Sequence, residues 1–396
     1  MDAERIAILK QAAEQGDPWA QYNLGVDFEY GQGVEQDKAE AVKWYRLAAE
    51  QGIDSAQFNL ARAYDDGEGV EPDRSEAEKW YTLAAEQGHA KAQCNLGILY
   101  DAGEGIERDL TAALKWYKRA ARQGRAIAQY RLSWLYFEGE GVKKDPARAV
   151  QWLKRAAQQG HVSAQYDLGD CYRNGDGVRR NPAKAARWFR RGAKAGDADA
   201  QTNLGVAYFY GKGVKQNWKK AKKWYERAAA QGFDRAQCNL GLMCEKGEGM
   251  AKDAAQAVKW FRLAAEQGHL KAQYYLGRAY RDGEGVKENK TKAAAWFRKA
   301  AEQGDAESQN ELGVACFYGK GVPQDWKQAK KWYKRAAVQG NALAQGNLGQ
   351  MYLSGEGVIK NKARAAFWFR KVAKQGDKTA REFLREVSSR NAKQEG

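Results

Sequence analysis

AQYNLGVDFEYGQGVEQDKAEAVKWYRLAAEQG, from Ala20 to Gly52, holds two helical patterns separated by a Gly-x-Gly turn. In the first, Ala20, Leu24 and Phe28 share one face at four-residue spacing, and Gly25 leaves room for a neighbouring helix. Asp17 stands ahead of it as N-cap and Pro18 is pre-set for the first turn, which gives a helix A over about 17–30. Gly31 and Gly33 end that helix. Helix B starts behind Asp37 and carries the apolar stripe Ala41, Trp44, Tyr45, Ala48 at i, i+3, i+4, i+7. It closes at Gly52, in a left-handed conformation that other residues resist.

The same hairpin recurs without one insertion. Ala20 returns 36 residues on as Ala56, then as Ala92, Ala128, Ala164, Ala200, Ala236, Ala272, Ser308, Ala344 and Ala380, with a leucine four residues after each, Leu24 through Leu384. All ten complete units have the Gly-x-Gly pair, as in Gly67/Gly69 and Gly355/Gly357. All ten also have an Asp or Asn cap on helix B: Asp37, Asp73, Asp109, Asp145, Asn181, Asn217, Asp253, Asn289, Asp325 and Asn361. One hairpin cannot bury both faces of its helices, so neighbours must stack. A chain of 396 residues is also longer than a single core usually supports, and 12% aromatics with 43% apolar residues argue against disorder. The reading is an all-α solenoid of tandem 36-residue helical hairpins. Residues 1–16 form an N-terminal capping helix, 17–376 the ten units, and 377–396 a C-terminal capping helix with its tail.

The motifs A-Q-x-x-L-G and A-x-x-W-[YF]-x-x-A-A-x-Q-G, present between Ala20 and Gly52, and Y-x-x-G-x-G-V, present at Tyr64–Val70 and with Phe28 in place of the tyrosine in the first unit, are similar to those of the Sel-one-like repeat (SLR) family, a relative of the tetratricopeptide repeat. The resemblance covers nearly the whole chain. It implies a right-handed superhelix with helix A lining the concave side. It also implies an adaptor or scaffold role, as in degradation complexes, signalling, and bacterial interactions with hosts or competitors. Some SLR proteins carry a disulfide in each repeat, and this chain lacks that pattern.

Chemistry-bearing residues have simpler explanations than catalysis. Cys94, Cys171, Cys238, Cys244 and Cys316 occupy core-like positions and read as buried thiols; Cys238 and Cys244, six apart, form neither a metal knuckle nor a redox pair. His89, His161 and His269 stand at one equivalent position before helix A, too far apart to share a metal. The Gly-x-Gly pairs follow helices and lack a Gly-Lys-Ser/Thr continuation, so they end helices rather than hold phosphates. No nucleophile has a recognisable partner. The chain is therefore read as non-enzymatic, with no cofactor and no metal. Trp44, Trp80, Trp116 and their equivalents to Trp368 read as core, and Trp218 and Trp326 as packing devices at the start of helix B. No apolar run reaches the ~20 residues of a membrane span, and the start MDAERIAILKQAAEQG has no signal-peptide pattern. A cytoplasmic location is expected, or an exported or periplasmic one if the chain is a processed form.

The expected binding face comes from helical angles. Offsets −1, +2, +6 and +9 from the repeated alanine centre roughly 180° from the core stripe, and the residues there vary between repeats. The candidate partner-binding residues are Tyr22, Phe58, Tyr130, Tyr166 and Tyr274 at +2, with Trp134 and Arg278 at +6. At +9 they are Glu29, Asp65, Asp101, Phe137, Arg173, Phe209, Arg281 and Phe317. Exposed aromatics and arginines on a concave surface suit binding anchors; the competing reading is that these long side chains pack against helix B. Val206–Val214 recurs at Val314–Val322 with one change, Tyr208 to Cys316. That recurrence suggests a duplicated three-repeat block, with Arg173/Phe209 and Arg281/Phe317 as related sub-sites.

Charge is sorted along the chain. Residues 1–88 carry a net −11 and the remainder +27, which makes the overall +16. Pairs such as Lys118/Arg119, Lys154/Arg155 and Arg190/Arg191 lie on helix B and read first as a solvated outer face. An acidic protein or an anionic membrane surface ranks next as their partner, and nucleic acid last. The expected function is a monomeric scaffold or adaptor that binds a peptide or protein in the groove lined by helix A. The alternatives are a regulator or immunity-type inhibitor wrapping a folded bacterial effector, and a nucleic-acid binder using the basic outer face.

Overall fold

The computed structural model describes residues 2–382, 384 and 385, and among them there are helices and turns but no strand. An initial helix, Asp2–Glu14, is followed by twenty helices of thirteen residues each, ending at Lys362–Lys374. The first hairpin is Pro18–Tyr30 and Lys38–Glu50, as the capping signals require. Residues 378–382 resume a helix. The expected tail, 386–396, lies outside the described residues. The fold is an α-solenoid of 36-residue hairpins, arranged as two compact units, 1–197 and 198–396. Repeats are numbered 1 to 10 from residue 17.

Local chemistry sets each helix end. The Asp17 carboxylate accepts the N–H of Ala20 at 2.6 Å, and the Asp37 carboxylate that of Glu40 at 2.9 Å. At the end of helix B, Gly52 (φ 91°) lets its own N–H reach the Ala49 carbonyl and the Ile53 N–H reach the Ala48 carbonyl. The two glycines of the Gly-x-Gly pair do different work. Gly67 ends helix A at φ 71°, whereas Gly69 presses on the preceding repeat, where an added Cβ would lie 2.2 Å from the Lys38 carbonyl oxygen. Termination, the expected role, covers only the first of them.

Within each unit, helix A packs on its own helix B and on helix B of the repeat before it. The repeated leucines Leu24, Leu60, Leu96, Leu132 and Leu168 are fully enclosed, as are the helix B tyrosines Tyr45, Tyr81 and Tyr117. The small residue one place after the leucine makes this possible. A Cβ at Gly25 would stand 2.7 Å from the ring of Tyr45, and one at Gly97 2.7 Å from that of Tyr117. All five cysteines are buried, free thiols. The tryptophans sit nearer the edge than expected. Trp80, Trp116, Trp332 and Trp368 are buried, but Trp44 and Trp152 are only half-buried. A cation one turn on, such as Arg119 or Arg155, covers the outward side of the Trp116 and Trp152 rings. Trp218 and Trp326 do pack, through Cβ atoms laid against Gly249 and Gly357, while their rings remain two-fifths exposed.

A glutamine pair, buried on helix A and exposed at the end of helix B, joins a repeat to its predecessor. Gln57, on helix A of repeat 2, donates to the Ala49 carbonyl at the end of the previous helix B, at 3.1 Å. Its own Oε1 accepts from Gln87 at 2.8 Å, and Gln87 also donates to the Gly52 carbonyl at 3.0 Å. The side-chain pair recurs as Gln123–Gln93, Gln159–Gln129, Gln267–Gln237 and Gln375–Gln345, at 2.7–3.0 Å. Repeat 5 breaks the pattern. Ala195 stands where the donor glutamine belongs, and the buried Gln165 Oε1 has no partner. A buried acceptor left unmade is destabilising. Ala195→Gln is therefore expected to stabilise the protein by about 0.5–1.5 kcal/mol, a rise of a few degrees in the thermal midpoint. A midpoint unchanged or lowered in calorimetry would count against this role.

The three histidines are helix caps. Nδ1 of His89, His161 and His269 accepts the N–H of Ala92, Ala164 and Ala272 at 3.1, 3.2 and 3.1 Å. Only a neutral imidazole can accept there. Burial holds all three below the ordinary histidine range. As pH falls, the unfolded chain takes up these protons first, so the caps contribute fully above about pH 6.5. Their contribution is lost as pH drops through the lower folded-state values. Asn341 fills the same position without titrating and accepts from Ala344 at 2.8 Å. The triple variant His89→Asn, His161→Asn, His269→Asn should thus lose less thermal stability than the parent between about pH 7.5 and pH 5. Equal losses would remove the histidines from the acid response.

Candidate protein-binding face

Helix A presents its offset +2, +6 and +9 residues opposite the core stripe, but helix B reaches many of them. In the first three repeats the +9 carboxylate ties the hairpin together. Glu29 accepts from the Tyr45 hydroxyl at 2.5 Å, Asp101 from Tyr117 at 3.1 Å, and Asp65 from Tyr81 at 3.3 Å. Arginines close the same sites: Arg62 on Glu29, Arg74 on Asp65, and Arg108 at 4.0 Å from Asp101. Glu29 is buried, and its carboxylate together with burial raises the Tyr45 hydroxyl well above the phenol range. Expected as partner anchors, Glu29, Asp65 and Asp101 are committed inside the hairpin. The sequence carried a signal for this, because an acid at +9 coincides with a tyrosine on helix B in repeats 1, 2 and 3.

The +2 aromatics are also half-buried. Tyr22 lies 6.1 Å from Tyr45, Tyr166 6.0 Å from Phe189, and Tyr274 6.1 Å from Phe297, measured between ring centroids. Phe58 and Tyr130 lie against the capping imidazoles of the next repeat, at 4.7 Å from His89 and 4.5 Å from His161. Packing therefore takes most of these side chains, and one edge of each is left on the face. In repeats 7 to 9 the arginines are paired. Arg278 reaches Glu245, and Arg281 reaches Glu311 at 2.6 Å and Asp282 at 2.8 Å. Phe209 and Phe317 make edge contacts with Tyr210 and Tyr318, both at 4.8 Å. The duplicated block thus repeats its aromatic geometry. Its arginines differ in their ion pairs: Arg173 meets Asp170 in its own helix, and Arg281 also meets Glu311 of another.

Repeats 4 and 5 bring a different part of the expected set together. Trp134 is 54% exposed, Phe137 is half-buried beside it, and Arg173 is exposed. Trp134 and Phe137 border a cleft of about 510 Å³ between helix A of repeat 4 (Ala126–Glu138) and helix A of repeat 5 (Val162–Asn174), and Arg173 meets it through Asp170. Equivalent positions line smaller clefts of about 200 Å³ between repeats 2 and 3 and about 150 Å³ between repeats 7 and 8. The cause of the difference is legible residue by residue. Helix B carries tyrosine or phenylalanine at this depth in nine repeats and leucine, Leu153, in repeat 4. The missing ring leaves space, and Ser133 replaces the close-packing glycine, turning its hydroxyl back to the Tyr130 carbonyl at 2.6 Å.

The cleft is acidic. Glu138, Asp167, Asp170 and Asp176 line it with a single ammonium, Lys144. The Tyr130 hydroxyl donates to Asp167 at 2.9 Å, Arg173 pairs with Asp170 at 2.5 Å, and Asn174 donates to Asp170 and Asp176 at 3.2 Å. Burial, and then the carboxylates of Asp167, Asp176 and Asp170, push the Cys171 thiol at its edge up to about 12. Glu138, Asp167 and Leu153 were not expected at a site; the leucine looks, in sequence, like one apolar residue exchanged for another. Among the described residues no three His, Cys, Asp or Glu side chains are grouped to hold a metal ion, and no helix is long and apolar enough to cross a membrane.

Ten successive segments match the Sel1 repeat: 20–53, 54–89, 90–124, 126–161, 162–197, 198–233, 234–269, 270–305, 306–341 and 342–377. Among solved structures, a protective antigen present in uropathogenic Escherichia coli strains and displaying an SLR fold is similar at 40% identity. The match covers 96% of this chain and 82% of that one, with a TM-score of 0.89. A Sel1 repeat protein from Oxalobacter formigenes is 36% identical over 78% of this chain and 89% of its own, with a TM-score of 0.63. No curated protein matches the chain. With the family's repeat matched ten times in succession over geometry of this kind, the chain belongs to the Sel1 repeat family.

Proposed function

We propose that the chain is a protein-binding scaffold, and that the helix A face of repeats 4 and 5 is where it holds a peptide or protein segment. Sel1 repeat proteins are generally protein-interaction scaffolds. The observation that carries the finer reading is Trp134. An indole more than half exposed, beside half-buried Phe137 and an open cleft, is a costly surface to leave in water and a common anchor at interfaces. The other expected anchors, Tyr22, Phe58, Tyr130, Tyr166, Phe209, Tyr274, Arg278, Arg281 and Phe317, would each contribute an exposed edge on the helix A face of its own repeat. Glu29, Asp65 and Asp101 would act through the hairpins they brace.

A photoreactive benzoylphenylalanine placed at Trp134 is expected to trap a distinct protein in the native cells. The same group at Lys154, exposed on helix B, should not trap it. Trp134→Ala should weaken binding of that protein by about 2 kcal/mol, roughly thirtyfold, and move folding stability by no more than ~0.5 kcal/mol. Adducts formed from position 154 instead of 134, or a stability loss as large as the binding loss, would refute the assignment.

A further inference from the structure

We propose that the cleft between repeats 4 and 5 is a socket for an arginine side chain presented by a partner polypeptide. The proposal deepens the scaffold reading and rests on it. It starts from how two other repeat junctions fill the equivalent position. Between repeats 1 and 2, the offset +6 residue Arg62 reaches across to Glu29; between repeats 7 and 8, Arg278 reaches across to Glu245. With Arg278 in place, about 150 Å³ remains open. Between repeats 4 and 5, offset +6 is Asp170 and the facing +9 residue is Phe137, so the array supplies no guanidinium from that position. About 510 Å³ stays open there.

The walls suit the same group arriving from outside. Asp167, Asp170, Asp176 and Glu138 line the cleft against Lys144, and with Arg173 already on Asp170 the four acids still outnumber the two cations, in a chain whose overall charge is +16. A cationic side chain is therefore drawn to this cleft against the general field of the protein. The exposed Trp134 face and the Phe137 edge give a flat cation a surface to stack on. Arginine fits better than lysine, because its planar fork can stack and meet a carboxylate in the same pose, whereas an ammonium is a hydrated point charge. Leu153 supplies the floor for the aliphatic stem.

The test uses the full chain and fluorescein-labelled ten-residue peptides of Gly, Ser and Leu that differ only in a central Arg, Lys, Gln or Glu. Polarisation is read at low and moderate salt. The arginine peptide is expected to bind at least tenfold more tightly than the glutamine peptide, with lysine between them and glutamate weakest. Ser133→Gly with Leu153→Tyr restores the packing seen at Gly97 and Tyr117. That pair should close the socket and abolish the arginine preference with no loss of thermal stability. Trp134→Ala, at an exposed side chain, should lower arginine-peptide affinity about tenfold and serves if the double variant fails to fold. Glu71→Gln with Glu86→Gln, exposed acids of repeat 2, should leave the affinity unchanged. No preference for arginine, or a preference that survives both cleft variants, overturns the proposal. A protein trapped from position 134 without arginine preference would sink the socket alone, whereas failure to trap any protein there would sink the broader reading.

Discussion

The glutamine pair, with its helix A member buried, is the constraint on which the rest of the array depends. Its hydrogen bonds link residues 8, 30 and 35 apart, as in Gln57–Ala49, Gln87–Gln57 and Gln87–Gly52. A single inserted residue would break these bonds together, and the buried helix A glutamine left without partners would cost roughly 1–3 kcal/mol. The strict period of 36 suits this requirement, and repeat 5, which lacks the pair, keeps the period of its neighbours. Diversity is therefore confined to what side chains do on a fixed backbone.

That confinement explains how the binding face arises. Repeats 1 to 3 spend their variable positions on bracing: Tyr45 on Glu29, Tyr81 on Asp65, Tyr117 on Asp101. Repeat 4 gives up the ring at Leu153 and gains a cleft, and the exposed Trp134 stands at its mouth. A site formed by subtraction from a regular array costs little in design, because neighbouring repeats still supply walls of fixed geometry.

Much of the architecture was legible in the sequence because helix ends are local chemistry. Asp17 and Asp37 cap where their residue types and positions say they should, and Gly52 adopts the left-handed turn its place requires. The face was less legible. Assigning offsets by angle treats helix A as a free cylinder, while Tyr45 on helix B is long enough to pass alongside it and take Glu29. Phe58 and Tyr130 similarly meet histidines of the next repeat, a contact no single-helix projection contains. The tryptophans erred the other way. Their period fitted a core, but a large ring at the margin of a thin array stays partly open, and Trp44 and Trp152 remain half-buried.

The second glycine of each turn gives the array a direction. Gly69 lies against the Lys38 carbonyl and Gly177 against that of Pro146, in each case a group belonging to the repeat before. Gln87 likewise donates backwards, to Gly52. Within each unit a hairpin leaning on its predecessor meets carbonyls that were fixed when that predecessor folded. During synthesis, which releases the amino-terminal end first, each new hairpin emerges onto a finished template. The chain can thus build itself in the order in which it is made, and a nascent hairpin has its partner surface waiting before its own apolar stripe has left the ribosome.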